Sequence, residues 1–100
     1  MIQDPGIKIT RIHLRLVEQG TDGLLGWASC VVNGAILLNN IAIRRGRDGV
    51  LFLTYPAKRS AAGDRHHYFN PISSEAAEAV RDAVLARLAT LARAAGQGAS

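Results

Sequence analysis

Cysteine is almost missing from this chain of 100 residues: Cys30 is its one thiol, so no intrachain disulfide can form. That excludes the disulfide-stapled scaffolds of small secreted proteins and agrees with a cytoplasmic location. Cys30 sits in the apolar run from Ala28 to Val32 and is expected to be a buried small hydrophobe. Aromatic residues make up only 5% of the chain, so extended base stacking has few partners. No apolar run approaches the roughly 20 residues that span a bilayer. The opening Met1-Ile2-Gln3-Asp4-Pro5 lacks the basic-then-apolar order of an export signal. Neither a membrane partner nor secretion is expected.

What is present describes one folded domain, residues 1–100, with a core over about 8–95 and a flexible tail at 96–100. Hydrophobic residues are 48% and charged residues 20%, ordinary for a globular chain. The net charge is +4, and it is unevenly placed. Residues 1–72 hold nine cations and five anions; residues 73–100 hold three of each. The excess precedes the final segment and favours a polyanionic partner.

Residues 7–17 alternate with period two: Ile12, Leu14 and Leu16 on one side, Arg11, His13 and Arg15 on a basic outer side. Leu24 to Val32 predicts a second strand. Asn33-Gly34 is a strong signal for a two-residue hairpin with positive φ at both positions. A third strand follows from Ala35 to about Arg44, then a turn at Gly46-Arg47-Asp48-Gly49 and a fourth strand from Val50 to Tyr55. Pro56 has no N–H for a ladder and should stop that strand. His66 to Asn70 suits a short fifth strand at an edge. On the third strand, simple alternation puts Leu37, Ile41 and Ile43 on one side and Ile36 and Leu38 on the other. Asn39-Asn40 is unusual in a strand and suggests a bulge or a strand edge, with a recognition role as the alternative.

Pro71-Ile72-Ser73-Ser74 opens a helix in which Val80, Val84, Leu88 and Leu91 recur at spacings of four and three. Gly96 should end it, with Arg93 near the negative end of the dipole. The fold class is α+β: an antiparallel sheet of four to five strands followed by one C-terminal helix packed on one face. Phe52 and Trp27 are expected in the core. A sheet apolar on both sides but covered by one helix points to a homodimer.

Catalytic chemistry finds little support. His66 and His67 are adjacent, so in a strand their rings point to opposite faces and cannot chelate one ion. Cys30 has no nearby base in sequence, and Asp48 and Asp64 sit beside turn glycines. The expectation is no enzyme, no cofactor, no metal and no small-molecule substrate. The cations form two groups: Arg44, Arg45 and Arg47 at the end of the third strand, and Lys58, Arg59 and Arg65 on the loop after the fourth. A hairpin through 46–49 would hold the groups at opposite ends, about six residues or roughly 20 Å apart. A loop held rigidly by Pro56 is a good place for cations that meet phosphate.

The pieces Asp48-Gly49-Val50-Leu51-Phe52, Tyr55-Pro56-Ala57-Lys58-Arg59, Gly63, Pro71-Ile72 and Asp82-Ala83-Val84-Leu85 resemble, in order and spacing, the SpoVG family. That family comprises bacterial regulators of septation and sporulation. The resemblance covers about residues 8–90. It implies a small cytoplasmic dimer that binds DNA and RNA and is not an enzyme, and it puts the family's Lys-Arg loop on Lys58 and Arg59. Ala57 stands where the family has serine, and Asn70 where it has histidine. A reading from another class is a protein-interaction module that binds a partner's segment at a sheet edge or face.

Overall fold

A computed structural model describes residues 6–18 and 20–98, with side chains as far as residue 94. The Met1-to-Pro5 opening and the last two residues of the expected tail lie outside the described residues. In chain order the elements are β1 (Ile9–Leu16), β2 (Leu24–Val32), β3 (Ile36–Arg45), β4 (Leu51–Thr54), β5 (Ala57–Arg59), β6 (Arg65–His67) and α1 (Ser74–Gly98). Strands β1 to β4 form one antiparallel sheet in sequential order, and β5 and β6 form a separate two-stranded ribbon. The α+β class expected from the sequence is the one found. No helix among the described residues is long and apolar enough to cross a membrane.

The hairpin between β2 and β3 follows its dipeptide. Asn33 and Gly34 have φ of 52° and 64°, and the Ala35 N–H donates to the Val32 carbonyl over 3.0 Å. The Asn33 side chain also accepts from the Lys8 N–H at 2.7 Å, which ties the start of the chain to this turn. Gly26 is set by packing. A Cβ there would lie 2.6 Å from the Arg15 carbonyl oxygen, so β1 and β2 could not keep their spacing with a larger residue.

Three register shifts interrupt the sheet, at Arg11-Ile12, at Leu25 and at Asn39-Asn40, and the first and last decide which side chains face the helix around Cys30. Thr10 pairs with Val31 and His13 with Ser29, so Arg11 and Ile12 together oppose Cys30; Arg11 has φ 51°. Ala28 pairs with Ile41 and Cys30 with Leu38, so β3 carries an extra residue at Asn39-Asn40, with Asn40 at φ 60°. The Asn40 N–H donates to the Asn39 side chain at 2.9 Å, a local bond that suits this residue type in a left-handed conformation. The bulge suggested by the sequence is present, and it corrects the facial assignment around it. Leu38 packs against the core with Ile41 and Ile43, and Ile36 lines a cleft beside the helix. Leu37 turns to the other face and is exposed.

The core lies between sheet and helix: Ala28, Cys30, Ile41, Ile43, Val80 and Val84 are buried, flanked by Ile9, Ile12, Leu14, Leu53 and Leu88. The helix begins where Ser73 caps it, its Oγ accepting from the Ala76 N–H at 3.1 Å. Val80, Val84, Leu88 and Leu91 are buried or half-buried as the spacing predicts. Leu85 joins them against the core.

Several expectations fail. The helix continues to Gly98, past Gly96, so its last turn carries no basic residue and Arg93 falls short of it. A single glycine costs a helix interior only about 1 kcal/mol, too little to stop it alone. The fifth strand is not an edge of the main sheet; Arg65–His67 pairs with Ala57–Arg59 instead. Lys58 and Arg59 therefore sit on a strand, and the loop is confined to the residues between β5 and β6. Phe52 and Trp27 are not in the core. Phe52 pairs with Arg44 on the side away from the helix and is 40% exposed. With Ile36 and Leu38 on the helix side, the other face is mixed: Arg44 lies there with Leu37, Trp27 and Phe52.

Ile43→Ala should cost about 2–5 kcal/mol, because it removes a fully buried side chain. Phe52→Ala should cost clearly less, and urea melts of the two variants check that order. A second pair tests the bulge. Asn40→Gly should melt within a degree or two of the parent, whereas Asn40→Val, a β-branched residue at positive φ, should lose at least about 1–2 kcal/mol. Equal melting of the two Asn40 variants would mean that the bulge does not need the left-handed residue.

Candidate functional site

The face of the sheet away from α1 carries the unexplained polarity. Residues directly opposite in antiparallel strands share a face. Arg15 pairs with Trp27, Trp27 with Ala42 and Ala42 with Thr54, which makes one row across all four strands. Three steps of about 4.8 Å give that row a span of roughly 14 Å. Arg44 lies two residues along from Ala42 on the same face. Its Nε donates to the Thr54 hydroxyl at 3.3 Å, and its Nη1 donates to the Asp22 carbonyl at 3.3 Å. These bonds hold the guanidinium over the sheet.

An open cavity of about 430 Å³ lies on this face. Arg15, Arg44 and Arg65 converge on it, with Trp27, Asn40 and Tyr55 also in its wall. No acidic residue lines it. Among the described residues the ion pair that forms is Arg81 with Asp82 on the helix, and none of the three arginines meets a carboxylate within 4.0 Å. A second cavity of about 280 Å³ shares Arg15, Trp27 and Asn40 with the first and adds His13, Ser29 and Asn39. The two cavities are neighbours on this face, with Trp27 in the wall of both. Tyr55 stays a neutral phenol: burial, and then the nearby Cys30, push its pKa up to about 12. Its ring meets Phe69 edge-on at 6.1 Å. Burial also raises the Cys30 pKa, consistent with a buried small hydrophobe.

The six candidate cations are not one group. Arg44 and Arg65 come together in the cavity although the sequence separates them. The reason is that β4 is only four residues long, so the ribbon returns beside Thr54. Arg59 pairs with Arg65 and shares its side of the ribbon with Ala57, another residue of the cavity wall. Lys58 pairs with His66 on the opposite side of the ribbon. Arg45 goes to the helix side of the sheet, beside Leu51 and Leu88. Arg47 is exposed in the turn between β3 and β4. Arg15 and Trp27 were missing from the candidates. The signal for Arg15 was there, in the basic outer side of β1.

A profile of the SpoVG family matches residues 7–90. "Putative septation protein SpoVG 1" of Listeria monocytogenes is 33% identical over 81 residues, 80% of this chain and 76% of that protein. A protein of the same name from Listeria innocua matches to the same extent. "Putative septation protein SpoVG" of Staphylococcus aureus is 29% identical over 80 residues, 79% of this chain and 77% of that protein. With most of the chain matched, and with the Lys58–Arg59 segment and the capped start of the helix both inside the match, this protein belongs to the SpoVG family.

Proposed function

We propose that this protein is a dimeric bacterial regulator that binds DNA or RNA through the open face of its sheet. The observation that carries this is the convergence of Arg15, Arg44 and Arg65 on one cavity whose wall holds no carboxylate. Guanidinium groups left without an internal counter-charge favour a polyanion, and their planar donors suit phosphate oxygens. Arg59, on the same side of the ribbon as Arg65, extends the basic track. The septation role named for the relatives comes to this chain as part of the same proposal.

The dimer has separate support, on the other side of the sheet. Two apolar clefts flank the helix, of about 290 Å³ beside Ile36 and about 410 Å³ beside Leu16. Ile36 and Leu16 are 58% and 52% exposed. The radius of gyration, 15.2 Å, exceeds the about 13 Å of a compact chain of this length. A partner copy on the helix side would cover the clefts and leave the basic face free. A two-fold contact through the basic face would instead set like charges against each other.

Gel shifts against random DNA and RNA at two salt concentrations test the first claim. Replacing Arg15, Arg44 and Arg65 together by Ala should weaken binding across all sequences. The slope of log affinity against log salt should become shallower by up to about 2 units per protomer on a single strand. Arg59→Ala should weaken binding more than Lys58→Ala, and Arg47→Ala should do little. A triple variant that is folded yet binds with unchanged affinity and slope would refute the assignment of this face. Sedimentation at tens of micromolar should give a species of twice 10.7 kDa; a monomer alone at that concentration would remove the dimer from the proposal.

A further inference from the structure

Trp27 is the one tryptophan of the chain, and it stands at the centre of the basic face instead of in the core. Its cross-strand neighbours are Arg15 on β1 and Ala42 on β3. Ala42 is a small side chain and only 3% exposed, so the larger side chains around it, the indole's row among them, close over it. Arg44 and Arg65 lie across the first cavity, His13 and Ser29 across the second, and Trp27 belongs to both. Asn40 also lines both, because the bulge lifts it out of the regular pleat. An indole edged by cations and by a carboxamide that can both donate and accept has the parts needed to hold an unpaired base.

We infer that Trp27 is a base-stacking platform and that the open face takes single-stranded nucleic acid in preference to duplex. This goes one step beyond the reading of that face as a nucleic-acid surface, on which it rests. The strand's phosphates lie toward Arg15, Arg44 and Arg65, one base stacks on the indole, and Asn40 is placed to meet a base edge. In a duplex both faces of each base are already stacked, so Trp27 has nothing to receive. The second cavity, whose wall shares Arg15, Trp27 and Asn40 with the first, gives room for a strand and not only for one nucleotide.

The single tryptophan supplies its own probe. The full chain is titrated with single-stranded dodecathymidylate while the indole emission is followed, and a labelled copy of the strand reports binding by anisotropy. The same is done with an abasic strand of equal length, with the strand paired to dodecaadenylate, and with thymidine monophosphate. The single strand should bind and quench the indole. The abasic strand and the duplex should bind roughly 5- to 150-fold more weakly, the range for one stacked base. Trp27→Leu should lose a similar factor toward the single strand, and Trp27→Phe, which keeps a ring, should retain most of the affinity. Anisotropy showing tight binding of strand, abasic strand and duplex alike, with unchanged emission, would overturn the stacking inference while leaving the nucleic-acid surface in place. That result reads out on the parent protein, so it stands even if Trp27→Leu fails to fold. Quenching by the monophosphate at the same concentrations as the strand would overturn the strand as occupant. Absence of binding by every nucleic acid would overturn the surface itself, and this inference with it.

Discussion

The phase of the strands is the constraint on which the two faces depend. Side chains alternate along a strand, so one extra residue on either neighbour of β2 exchanges the faces beyond it. Both neighbours carry one, and both bulges fall beside Cys30. Arg11-Ile12 oppose Cys30 from β1, and Asn39-Asn40 interrupt β3 between the partners of Ala28 and Cys30. The bulge on β1 lets Ile9 pack against the core together with Ile12 and Leu14, at an odd spacing that a regular strand forbids. The bulge on β3 does the same for Leu38 with Ile41 and Ile43. Without these phase changes, part of each strand would present its apolar residues to the wrong side.

Once the apolar residues are committed to the helix, the other face is free to be polar. Trp27 and Phe52 find themselves there with Arg15 and Arg44. The short β4 adds the last part. It ends at Thr54, Pro56 prevents continuation, and the chain turns into the β5–β6 ribbon. The Tyr68 N–H donates to the Pro56 carbonyl at 3.0 Å, closing the ribbon against its own start. Arg65 is thereby returned to the mouth of a cavity whose other arginines are 21 and 50 positions earlier in the chain. Local turn chemistry thus produces a basic convergence that no short motif contains.

Much of the fold was legible in the residues because its signals are local. Asn33-Gly34 dictates a positive-φ turn, Ser73 caps the first helical turn, and the 80–91 spacing marks the buried helical face. What the residues did not disclose is non-local. Simple alternation misplaces Leu37 and Leu38, because Asn39-Asn40, which suits a bulge or a strand edge equally, proves to be a bulge that shifts the phase of the strand. Trp27 and Phe52 are expected in the core, whereas their cross-strand partners are Arg15, Ala42 and Arg44. The Lys58–Arg59 pair looked like one unit in the chain. In a strand, adjacent residues face opposite ways, so only Arg59 shares the side of Arg65. Arg15 was seen as outward-facing and still left out of the site, because its neighbours across the sheet come from three other strands.

The central claim is that the polyanion lies on the face of the sheet opposite the helix. The most direct measurement is an NMR titration of isotope-labelled protein with a short single-stranded RNA at low salt. The account predicts that the largest shifts fall on the indole N–H of Trp27, the Asn40 side-chain amide and the guanidinium signals of Arg15, Arg44 and Arg65. The turn at Gly46–Gly49 and the exposed side of α1 should stay quiet. Shifts confined to the helix, or to that turn and Lys58, would contradict it.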